Sequence, residues 1–211
     1  QEKMGGKYLS AFPESEFDIL ETKYGGVWAP YYTFHKIMQG LLDVYSCTGN
    51  EKAYRILLNM AGYVAQRMSK LPEGEIEKIL YSAEANPTNE AGGMNEVLHN
   101  LYAVSGDEEH LKLAKIFDRK WFYEPLAEGK DILSGLHSNT HIVLVNGFAR
   151  RFENTGEPDF LKAAGHFWDM LLNHHAYVNG SSSGPRPIAT TPTSRIAEHW
   201  GHAGHLSATL T

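Results

Sequence analysis

Glu198, His199, Trp200, His202 and His205 place one carboxylate among imidazole rings and an indole near the end of the chain. Aromatic walls disfavour the ionised form of a carboxyl group, so a glutamate held there can act as a proton donor near neutral pH. A solvated Glu beside surface histidines fits the same composition, and Trp200 lies where a ring could serve as a stacking platform. A second set of chemically able residues is spread over three earlier stretches: Tyr31 and His35 in WAPYYTFHK, Asn95 and Glu96 in GGMNEVLHN, His137 and His141 in LHSNTH. These side chains are more polar than a packed helical face requires. Position alone favours a satisfied core histidine for His35 and allows a simple helix-start pair for Asn95–Glu96. His137 and His141 have the four-residue spacing of a metal pair on one helix. No third ligand stands nearby, so no metal is assigned to this chain. Cys47, just before a Thr-Gly turn, reads as a small core residue rather than a nucleophile. Trp28, Trp121 and Trp168 read as core.

The elements that must carry these residues are helical. Residues 27–64 pattern as two helices: Tyr32, His35, Leu42 and Tyr45 share one face, and Thr48-Gly49-Asn50 stops the first helix and caps the next. The device recurs at Ser105-Gly106-Asp107 and Thr155-Gly156-Glu157. Five residues after each glycine stand Tyr54, Leu111 and Leu161, eight after it Leu57, Ala114 and Ala164, and eleven after it Met60, Phe117 and Phe167. That spacing keeps one face apolar in all three copies. First helices are expected at 28–47, 92–105 and 138–154, forming a common inner layer, and second helices at 51–69, 107–120 and 157–175. A short helix is expected near 73–80. Residues 1–26 read as loop with one helical turn. In a closed ring the starts of the inner helices gather at one mouth, where free N–H groups and aromatic rings suit a hydroxyl-rich ligand. Periodicity alone leaves an open solenoid and a closed toroid equally possible.

Composition narrows the field. The 211 residues are 42% hydrophobic and 21% charged, ordinary for a globular domain, and the net charge of −6 gives no electrostatic reason for a nucleic-acid or anionic-membrane partner. The longest apolar runs, such as IVLV, are too short to span a bilayer. A single cysteine excludes an internal disulfide. Three hairpins leave two open faces, so the chain reads as an interior piece of a longer domain.

The segments LSAFPE, VWAPYYTFHKIMQGLLDVYSCTGN, GGMNEVLHNLYAVSGD, GLHSNTHI, NHHAYVNG and AEHWG, in this order, resemble the β-L-arabinofuranosidases of glycoside hydrolase family 127 and their close relatives. The resemblance implies an all-α fold of helical hairpins, part of an (α/α) toroid of six-hairpin type. Residues 1–211 would then belong to one (α/α)-barrel catalytic domain, with an opening loop at 1–26, three hairpins over 27–176 and an active-site loop segment at 177–211. It also implies retaining hydrolysis of terminal arabinofuranose, with Glu198 as acid/base and His35 in contact with the sugar. The segment around His137 and His141 would supply further contacts, and Asn95 and Glu96 lie in a characteristic stretch. A zinc-held cysteine thiolate would be the nucleophile, in a Glu-(Ser/Thr)-Cys motif that does not occur before Thr211. Zinc is therefore expected in the full-length parent and not in this chain, which alone should not turn over. The implied partners are a small arabinofuranoside-bearing carbohydrate and the remainder of the parent domain. The implied compartment is extracellular or periplasmic. Two other classes share the helical plan: a sugar epimerase or lyase using His35 and His141 as acid and base, and a non-catalytic carbohydrate-binding module.

Overall fold

The computed structural model describes residues 5–81, 89–178 and 180–182. Among them are nine α-helices and no strand. They are α1 (Ser15–Lys23), α2 (Pro30–Thr48), α3 (Glu51–Met68), α4 (Glu73–Leu80), α5 (Met94–Ser105), α6 (Glu108–Ile116), α7 (Lys120–Ala127), α8 (Ser138–Thr155) and α9 (Pro158–Met170), with a π-turn at Leu171–His175 after α9. The pairs α2/α3, α5/α6 and α8/α9 are the three hairpins. Helix α5 touches both α2 and α8, so the first helices form one layer running in the same direction, as in an arc of an (α/α) toroid.

Each hairpin turn is built alike. Gly49, Gly106 and Gly156 adopt φ of 69°, 67° and 72°, and each donates its N–H to the carbonyl four residues back, at 2.7, 2.8 and 2.7 Å. Glycine, with no Cβ, reaches this left-handed region at the least steric cost. Asn50 then accepts from the N–H groups of Lys52 and Ala53, and Asp107 from Glu109. The apolar stripe behind the turns holds at the eighth and eleventh positions: Leu57, Met60, Ala114, Phe117, Ala164 and Phe167 are all buried. The fifth position fails in the third copy, where Leu161 is 50% exposed and Phe160 is buried instead.

Several expectations need correction. Residues 1–26 contain a full helix: Phe17 and Leu20, three apart, bury against Tyr8, Tyr31, Phe34 and Tyr63, and left-handed Tyr24 ends α1. Arg67 of α3 holds α1 through Glu21 and Asp18. The helix expected at 107–120 breaks in two, because Arg119 has φ of 59° and a new helix, α7, starts after it. Cys47 is exposed, since the buried face of α2 runs through Phe34, Met38 and Leu42. Trp28 is 57% exposed, because it precedes the helix and stands outside that stripe.

The hydrophobic interior forms two clusters. The first gathers α1 to α6. The second is centred on Phe122, Phe148, Phe160 and Phe167, from α7, α8 and α9. Between them runs a buried polar chain. Asp118 lies between α6 and α7 and is 1% exposed. It accepts from Asn95 Nδ2 (3.2 Å), His99 Nε2 (3.2 Å) and Arg151 Nη1 (2.7 Å). Arg151 continues to Glu157 at 2.6 Å and lies over the Phe160 ring.

Candidate active site

The starts of α5 and α8 meet the first two turns of α2 around one short strap, residues 89–93. Asn89 anchors the strap by donating to the carbonyls of Lys78 and Ile79 at the end of α4, and Arg119 donates to the Asn89 carbonyl. Glu90, 4% exposed, accepts from His137 Nδ1 at 2.7 Å. Gly93 donates its N–H to His35 Nδ1 at 3.3 Å, which leaves the hydrogen of the neutral ring to Nε2.

The two glycines are required by this approach. A Cβ on Gly92, whose φ is +56°, would stand 2.6 Å from Tyr32 Cδ2 and 2.7 Å from His35 Nδ1. One on Gly93 would stand 2.9 Å from His35 Nε2 and 3.1 Å from Glu96 Oε2. The strap therefore lies flat on the His35 ring, and His35 is 3% exposed. Burial, with the Lys36 charge adding to it, lowers the His35 pKa to about 3, so the ring is neutral.

Glu96, in the first turn of α5, is half-buried. Desolvation raises its pKa, and a hydrogen bond with Asn146 of α8 and the charge of Lys36 oppose the rise. Lys36 lies 5.4 Å from the centroid of the Tyr32 ring. The polar groups with access to solvent here are Tyr32, Lys36, Glu96, His137 and Asn146.

The structure thus gathers His35, Glu96 and His137 at one end of the inner layer. Three other expected residues lie elsewhere. Tyr31 is 2% exposed, its ring 4.9 Å from that of Phe17 and 5.4 Å from that of Phe117. It belongs to the first core cluster, where α1 and the residue that follows α6 cover it. Asn95 is fully buried and its hydrogen-bonding capacity is engaged, by Asp118, the Leu144 carbonyl and the Glu96 N–H. It sits against Gly147, where a Cβ would come within 2.1 Å of Asn95 Nδ2. His141 is fully buried, with Nδ1 on the His137 carbonyl and its ring against Trp121 and Phe122. Glu198 and Trp200 lie outside the described residues.

Sequence reasoning missed Glu90, Lys36 and Asn146. Glu90 lies in a polar tract that reads as loop, and only its proximity to the paired glycines marks it. A zinc ion does not fit the described residues: no three His, Cys, Asp or Glu groups among them could hold a metal, and Cys47 sits at the other end of α2 from His35.

Helical hairpins whose inner helices bring imidazoles and a carboxylate to one end define an (α/α) toroid with a polar mouth. The family described as β-L-arabinofuranosidase, GH127 catalytic domain, matches residues 1–211, and the chain belongs to it. That family is one of glycoside hydrolases, which act on carbohydrates. Comparison with individual curated proteins returns no match.

Proposed function

We propose that the chain supplies the framework and part of the active site of a retaining β-L-arabinofuranosidase acting on terminal β-L-arabinofuranosides. The observation that carries this reading is the family match across all 211 residues. The mouth is compatible with it: donors and acceptors at half-buried positions suit sugar hydroxyls. In this reading Glu96 and His137 contact the sugar, with His35 beneath them under the glycine strap. Glu198 protonates the leaving oxygen, since an alkoxide leaves poorly at neutral pH, and Trp200 stacks near the sugar. Cys47 is the sole cysteine and is exposed far from the mouth, so the thiolate nucleophile, and the zinc that resemblance implies for it, come from other residues of the parent.

An epimerase or lyase using His35 and His141 is disfavoured, because His141 is fully buried. The test is incubation of the full-length protein with methyl and aryl β-L-arabinofuranosides, following the first-formed anomer by proton NMR. Release of arabinose with retained configuration is expected, and Glu198→Gln should impair the methyl glycoside far more than an activated aryl glycoside. An isomerised sugar, an unsaturated product or binding without turnover would contradict the reading.

A further inference from the structure

The Glu90–His137 pair has a geometry that the packing of the fold does not require. Glu90 is 4% exposed, comes from the strap rather than from a helix, and has its charge opposite one ring nitrogen at 2.7 Å. Leaving a carboxylate in so enclosed a place costs free energy unless a donor meets it. His137 meets it with Nδ1 while its side chain stays 24% exposed, and Nε2 has no partner among the described residues. His137 also occupies the N-cap position of α8 but caps nothing with its side chain. The ring is thus held by its inner edge and open at its outer edge.

We propose that Glu90 is a positioning residue for His137. Its carboxylate accepts from Nδ1–H, fixes one ring orientation and, whenever the ring is neutral, one tautomer, so that Nε2 faces a sugar hydroxyl at the mouth. The sugar contact rests on the glycosidase reading above, whereas the tautomer does not. The pair complements His35, whose Nδ1 accepts from Gly93 and whose Nε2 carries the hydrogen. Both rings are thus held by groups of the same strap, His35 beneath it and His137 at its open edge.

The test combines nitrogen-15 NMR of the His137 ring with kinetics on the full-length protein. In the wild type the His137 hydrogen should reside on Nδ1. In Glu90→Gln the amide can either accept from or donate to Nδ1, so the bias toward one tautomer should fall; Glu90→Ala should remove it. With an arabinofuranoside, kcat/KM should drop by about tenfold to a hundredfold, the scale set by misplacing a binding group. In a His137→Asn background, Glu90→Gln should have little further effect. An unchanged tautomer in Glu90→Ala, or an undiminished effect of Glu90→Gln without His137, would overturn the proposal. Should the wild type fail to turn over any arabinofuranoside, the glycosidase reading falls, and the ring spectrum still decides the role of Glu90.

Discussion

The two ends of the inner helices are built on opposite plans. At the turn end, α2, α5 and α8 finish on the same left-handed glycine with the same hydrogen bond, and a Cβ at any of the three glycines would meet nothing within 4 Å. At the mouth end, no two starts agree. Helix α2 opens after left-handed Ala29 and with Pro30, α5 after a glycine strap pressed on His35, and α8 after an extended His137 held by Glu90. None of the three has a side-chain cap. A repeated solution marks what folding requires of every hairpin, whereas three unlike ones mark where the repeat has been adapted to a ligand.

The contrast can be broken most forcefully at the polar chain that joins the two ends. Asp118→Ala leaves Arg151, His99 and Asn95 buried without their common acceptor, and should cost about 3–5 kcal/mol in urea unfolding. A loss near that of a surface carboxylate would show the chain to be dispensable.

Acid should act through the mouth rather than the turns. The His35 pKa is about 3 in the folded protein and about 6.5 when unfolded, so below pH 6.5 the unfolded state binds more protons. Stability should therefore fall as the pH drops from about 6.5 toward 3, by on the order of a few kcal/mol, and stay level above that window on this account. His35→Gln should flatten this part of the profile, read as the difference between the two proteins in thermal melts at matched pH.

Glycine-to-alanine changes sharpen the comparison by sign. Gly147→Ala forces Asn95 off Asp118 and the Leu144 carbonyl and should cost roughly 1–3 kcal/mol. Gly165→Ala, on the open face of α9 with nothing within 4 Å, should stabilise by roughly 0.5–1 kcal/mol. At the turn end Asn50→Ala removes a cap to two N–H groups and should cost about 1 kcal/mol. Cys47→Ser, exposed at the same end, should stay within about 0.5 kcal/mol.

The same division explains what the chain discloses before folding. The turns at Gly49, Gly106 and Gly156 were readable because a helix stop is a local event of three residues. The mouth depends on contacts between residues far apart in sequence, such as Glu90 with His137 and Gly93 with His35. Asn95 and His99 show the limit best: four apart on a face that should be apolar, they are polar because Asp118 and Arg151 arrive from other elements. Tyr31 misled for the opposite reason. Its neighbour in sequence, Tyr32, takes the mouth-facing side of α2, and a helix turns adjacent residues to different faces.

The central claim is that the mouth, and not the turn end, receives the sugar. The most direct test is a titration of the isotope-labelled protein with methyl β-L-arabinofuranoside, followed by amide and imidazole NMR signals. Saturable shifts at Gly92, Gly93, Glu96 and the His137 ring, with Gly49, Gly106 and Gly156 unmoved, are predicted. Shifts confined to the three turn glycines, or none at any residue of the mouth at saturating sugar, would contradict the account.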